Sequence, residues 1–263
     1  MRQNLTTSQK IHNAAACQAV ENLHARHCFM HCAGRNIEEI DNYWSHDERV
    51  SWGHAFGKWT SWTGVKFGWG GSLERQGTLA FLQLTQVWPQ IAGLDPRPLK
   101  ESAIHMLATD IIEVAADGKS ARAYFYTPGV ICSTLNMNRK RRGSLMWERY
   151  GIEYVCEDGE WKFFTIQVCP DISAQLDQGN PARDSYQRLT GKGPKMGPPP
   201  GGMGGQLEGG GGPSGPVLDE TEPVHSNYSL VQTVQNPVPW PEPYDTFHYG
   251  TSYRFRVKDY QID

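Results

Sequence analysis

The chain predicts an α+β fold: a cone-shaped barrel in which a curved, mostly antiparallel sheet wraps an N-terminal helix. Three observations carry this. A long amphipathic helix opens the chain, and a short helical stretch and a strand follow it. Two hairpins of long alternating strands then turn at Ala116-Asp117-Gly118 and at Glu157-Asp158-Gly159. Asp-Gly between alternating apolar runs is a strong hairpin signal, because both turn positions tolerate positive φ.

Ser8 or Thr7 is expected to cap the first helix. Ala16, Val20, Leu23, His27 and Met30 recur at steps of four and three, which makes one inward stripe, and Gly34 ends it. A second helix over residues 37–44 is expected to turn Ile37, Ile40 and Trp44 inward, and Val50–His54 reads as the first strand. Trp52, Phe56, Trp59, Trp62, Phe67 and Trp69 then stand among glycines. Such a segment suits a mobile loop closing over a flat apolar ligand, or a flap against a neighbouring subunit. Residues 78–88 read as a helix stopped by Pro89. Residues 101–114 and 120–129 read as paired strands, as do 145–157 and 160–168. On the strand 146–154, alternation places Met146, Glu148, Tyr150, Ile152 and Tyr154 on one face. The basic run 139–142 reads as a solvated loop tip.

Composition changes sharply at residue 191. Glycine and proline dominate residues 191–216, too little apolar surface to offset the entropy of ordering, so this stretch reads as a linker. Residues 1–190 then form the barrel domain, and residues 217–263 an extended aromatic arm with Trp240, Tyr244, Phe247, Tyr249, Tyr253 and Phe255. That arm is expected to wrap its own or an adjacent subunit. A net charge of −3 gives no support to nucleic-acid binding. The first thirty residues hold no apolar signal core, and no run of 18 apolar residues occurs. A soluble, cytosolic protein with its six cysteines reduced is expected.

Several dispersed residues carry a resemblance. Ala25-Arg26-His27 sits where many SnoaL-like proteins have Ala-Arg-Tyr, and Cys32 stands where they carry an aspartate. Ile104-His105-Met106 precedes Ile112 and Asp117-Gly118 in the order found in the scytalone dehydratase and bile-acid 7α-dehydratase families, and Tyr150 occupies a family tyrosine position. The chain thus resembles the nuclear transport factor 2-like superfamily, in its SnoaL-like and scytalone dehydratase-like branch, over residues 11–169.

The resemblance implies a pocket doing acid–base chemistry without a cofactor. His105 is the leading candidate base or acid, since imidazole titrates near neutrality. His27 and His31, one turn apart, are its expected helpers, and Glu148 and Tyr150 an acid and a phenol on one wall. Trp52, His54, Trp59, Trp62 and Tyr126 are the expected substrate contacts. Two i,i+4 pairs, His27/His31 and Cys28/Cys32, raise zinc as an option. They sit on different parts of the helix surface with no second cluster downstream, so no metal is expected.

The activity implied is that of a lyase on a hydroxylated, bulky aromatic or polycyclic substrate. It would dehydrate that substrate, or remove formaldehyde from a lignin-type diarylpropane diol in aromatic compound catabolism. The protein is expected to be a homo-oligomer exchanging its arms, with no nucleic-acid or membrane partner. The alternative is an oligomeric SnoaL-like protein that binds ligands without turnover, which the missing aspartate favours.

Overall fold

A computed structural model describes residues 5–54, 57–71, 102–133, 142–175 and 239–255. Helices α1 (Thr7–Cys32) and α2 (Asn36–Tyr43) precede strands β1 (Ser51–His54) and β2 (Gly57–Trp59). After a π-helical turn at Gly64–Gly70 come β3 (Ser102–His105), β4 (Ala108–Val114), β5 (Ser120–Ser133), β6 (Arg142–Glu157) and β7 (Glu160–Gln175). The sheet is seven-stranded, ordered β2-β1-β7-β6-β5-β3, with β4 also on β5. Only β1 against β7 is parallel among these pairings. The sheet curves without closing, which is the expected cone.

α1 begins one residue earlier than expected. Thr6, not Ser8 or Thr7, is the cap: it forms a capping box with Gln9, so orphan amides are met from both sides. Ala16, Val20, Leu23, His24, His27 and Cys28 form its buried face. Gly34, at φ 69°, releases the chain into α2. The β6–β7 hairpin turns through Asp158 (φ 50°) and Gly159 (φ 86°), as a two-residue turn with positive φ at both positions requires.

Two expectations are corrected. The strand read as 101–114 is two strands, broken after His105, with Thr109 at φ 44° where the register shifts. Residues 51–54, 57–59 and 64–70 form two strands and a π-helical turn, not a loop. Trp52, Trp59 and Trp69 are core residues, Gly68 leaves space for the Trp59 ring, and Gly70 leaves space for Ile40. A Cβ at Gly68 would lie 2.2 Å from the Trp59 ring, and one at Gly70 would lie 2.7 Å from Ile40. The expected helix 78–88, the basic run at 139–141 and the linker 191–216 fall outside the described residues.

The sheet's inner face packs on α1. Its outer face is covered in part by residues 239–255. Backbone bonds run from Ala116 N to Tyr244 O (2.9 Å) and from Asp117 N to Asp245 O (3.0 Å). Beneath lies a buried ion pair: Arg122 Nε donates to Glu153 Oε1 at 3.0 Å, and its Nη2 donates to Thr251 O at 2.9 Å. Ser252 Oγ donates to the other Glu153 oxygen. The rings of Tyr244 and Tyr253 lie 4.8 Å and 5.5 Å from the guanidinium. Among the described residues, no helix is long and apolar enough to cross a membrane.

Removing one partner of a buried ion pair strands the other charge in a dry site. Arg122→Ala is therefore expected to destabilise the fold by about 3 kcal/mol in denaturant unfolding, with Glu153 left uncompensated.

Candidate active site

The inner face of β6 carries Met146, Glu148, Tyr150, Ile152 and Tyr154, all buried, as alternation predicted. Opposite them, α1 presents His24, His27 and His31. The third wall is β3, which ends at His105. The C-terminal half of α1, the start of α2 and the inner faces of β3, β5 and β6 thus meet in one place.

His105 is 6 % exposed, with its Nδ1 3.8 Å from Glu148 Oε2. That is ion-pair range but longer than a hydrogen bond. Neither of its ring nitrogens has a hydrogen-bond partner among the described residues. The ring lies over Gly129, its partner in the sheet register. A Cβ at Gly129 would meet Ile104 O at 2.8 Å and His105 Nδ1 at 3.1 Å, so only glycine leaves room for the imidazole. Burial pushes the pKa of His105 below its ordinary value, the Glu148 carboxylate opposes that, and His27 adds to it.

Glu148 has no exposure and accepts from the Tyr150 hydroxyl at 3.1 Å. Burial, and then the neighbouring carboxylate, hold the Tyr150 phenol well above its usual range, so it stays a proton donor. Thr127, opposite Glu148 in the register, is fully buried, and its hydroxyl has no partner among the described residues.

Two of the helical histidines, His27 and His31, are held by α2. His27 Nδ1 donates to Glu39 Oε1 at 2.8 Å, and His31 Nδ1 donates to Asn36 Oδ1 at 3.0 Å. The His31 ring lies 5.2 Å from that of His105 and 5.1 Å from Trp69, centroid to centroid. His24 stacks on Phe125 at 4.4 Å, and its Nδ1 is 3.3 Å from the Tyr154 hydroxyl. Burial, then His27 and His105, push its pKa well down, which keeps it neutral. Cys32, at the position of the family aspartate, is a half-buried thiol whose pKa burial raises.

His105, His27, His31, Glu148 and Tyr150 therefore come together in one cluster. The expected substrate contacts divide. Trp52 and Trp59 pack behind Trp69, with Trp52 at 5.3 Å from Trp59 and 4.9 Å from Trp69. Trp62 is elsewhere, against His46 and the Lys66 ammonium. Tyr126 is placed otherwise than expected. It is 36 % exposed on the outer face, because its neighbour Phe125 takes the inner one. His54 lies in β1 opposite Gly57, and its side chain is outside the described residues. The sequence reading missed Glu39, Asn36, His24 and Thr127. Glu39 was findable, since it adjoins the inward Ile40 and follows Asn36 by one helical step of three. No group of three or more His, Cys, Asp or Glu side chains among the described residues could hold a metal ion.

Gly129→Ala is expected to cost roughly 1–3 kcal/mol of stability by overpacking, and to displace His105 from Glu148. Thermal unfolding and a crystal structure of the variant check both effects.

No curated protein matches the sequence. Among solved structures, a candidate scytalone dehydratase from Novosphingobium aromaticivorans DSM 12444 aligns at 13 % identity and TM-score 0.44, over 63 % of this chain and 90 % of that one. The hexachlorocyclohexane dehydrochlorinase LinA-type3 from Novosphingobium barchaimii LL02 aligns at 17 % identity and TM-score 0.43, over 65 % and 97 %. A nuclear transport factor 2-like superfamily protein from Salmonella enterica serovar Typhimurium LT2 aligns at 12 % identity and TM-score 0.44, over 64 % and 99 %. The model of the SnoaL-like domain matches residues 13–167, from within α1 to within β7. The chain belongs to the SnoaL-like domain family.

Proposed function

We propose that the protein is a cofactor-independent lyase. It acts by general acid–base catalysis on a hydroxylated, bulky aromatic or polycyclic substrate, and loss of water is the simplest reaction its groups support. The observation that carries this is His105: a buried imidazole with no hydrogen-bond partner on either nitrogen among the described residues, beside a buried carboxylate. A satisfied structural histidine has partners; both nitrogens of this one are without a hydrogen bond to the described residues.

In the proposed step, neutral His105 takes a proton from a carbon next to a carbonyl or aryl group. The electron pair forms the double bond, and the C–O bond breaks. The departing oxygen takes a proton from the imidazolium, so water leaves and His105 returns to its starting form. Glu148 stabilises the transient imidazolium. Tyr150 donates to the substrate oxygen on which charge develops, and His31 and His27 assist His105. Loss of formaldehyde from a diarylpropane diol would use the same groups. The same reading takes the protein as a cytosolic homo-oligomer engaged in aromatic compound catabolism. In arm exchange, residues 239–255 would make on a neighbouring copy the bonds to Arg122 and Glu153 that they make within one chain.

A screen of phenolic, steroid and polyketide alcohols, read by ultraviolet absorbance for new conjugation, tests the reading. His105→Ala is expected to lower kcat by roughly 100- to 10,000-fold. Turnover unchanged in that variant would sink the assignment. Tight binding of a screened alcohol with no turnover would favour a ligand-binding protein instead.

The pH dependence has a definite sign. With its pKa lowered, His105 stays in its basic form to lower pH than free histidine. The acidic limb of the kcat/KM profile is therefore expected below about pH 6.5, the value for an unperturbed imidazole.

A further inference from the structure

The two helices face each other through matched polar rungs. On α1, His27 and His31 stand one turn apart; on α2, Asn36 and Glu39 stand three residues apart on the buried face. The pairs run 27 to 39 and 31 to 36, the nested order of a hairpin, and Gly34 makes the turn between them. The lower rung is dry, with His27 at 3 %, Glu39 at 2 % and Trp44 at 1 % exposure. Trp44 Nε1 donates at 3.0 Å to the same Glu39 oxygen that His27 reaches. The two imidazoles lie within 5° of parallel at 5.9 Å.

A carboxylate oxygen only accepts, and so does an amide oxygen. Each rung therefore requires the proton on Nδ1 of its histidine. In a neutral imidazole that leaves Nε2 as the accepting atom, the one able to take a proton or meet a ligand hydroxyl. A surface ion pair between helices would impose no such order, since water could serve either nitrogen. Here the desolvated acceptors select one tautomer.

We propose that Glu39 and Asn36 are positioning residues of the site. They fix His27 and His31 in the Nδ1–H tautomer, and they set the parallel pair against His105. The role in turnover rests on the lyase reading above; the tautomer does not.

The full chain, labelled with ¹⁵N at histidine, tests this through long-range ¹H–¹⁵N correlation spectra at pH 8. His27→Gln and His31→Gln variants assign the signals. Both rings are expected to carry the proton on Nδ1. Asn36→Leu is expected to remove the single-tautomer signature of His31. On a substrate found by the screen, it is also expected to lower kcat about tenfold with KM little changed. Asn36→Asp restores an acceptor, and with it the signature and most of the rate. An unprotonated Nδ1 on either ring in the unmodified protein overturns the proposal, and this holds even if Asn36→Leu fails to fold. So does a folded Asn36→Leu variant that loses the signature yet keeps its full rate. Because the spectrum needs no substrate, an absence of any turnover would count against the lyase reading alone.

Discussion

Glu148 has no access to water, and an ionised carboxylate in such a place must find compensation or become neutral. Its surroundings supply partial compensation from two directions. Tyr150, two residues along the same strand face, donates a hydrogen bond. His105, from a strand two places across the sheet, stands at ion-pair distance without closing it. The open contact has a structural cause. Gly129 lets the imidazole rest on bare backbone, and a bulge in the β6–β7 pairing at Trp147/Glu148 sets the register locally. The site is held near, but not at, a closed ion pair.

Around this centre the cone sorts its ionisable groups by how well they are met. Glu39 receives two donors, and His27 and His31 are each tied to an acceptor. His24 is sealed between Phe125, Phe163 and Tyr154 and kept neutral by burial. His105 alone among the four histidines has neither ring nitrogen in a hydrogen bond to described residues. This gradient from tied to untied groups is what separates a polar core from a working surface.

Much of this was legible in the chain because period-two alternation is a strict rule. The inward set on β6 followed from it, and with that set Glu148 and Tyr150. Tyr126 was misplaced where the same rule was not applied to β5, whose Phe125 faces in. The tryptophan–glycine segment misled for a different reason. Glycine next to an indole reads as freedom in sequence, yet at Gly68 the missing Cβ is the space that the Trp59 ring fills. Glu39 was passed over, despite its place beside the inward Ile40, because a glutamate in a short helix looks solvated unless its partner is known. That partner is His27, 12 residues earlier on another helix. Arg149 and Glu153 alternate with the inward set and face the other side of the sheet, yet both are buried. Glu153 is covered by Ser252, 99 positions away, which no local pattern could announce.

The return of residues 239–255 to the turn at Ala116–Asp117 bears on how the molecule is made. Its contacts, such as Arg122 to Thr251 across 129 positions, are among the most non-local in the protein. They cannot form on the ribosome until residues 239–255 have emerged, and closing so long a loop is slow. During synthesis the outer face of the sheet, with its charged and aromatic side chains, stays unsealed. Nascent chains crowded on one message would have the same unsealed face in reach of one another, so the emergence of residues 239–255 decides when each is safe from its neighbours.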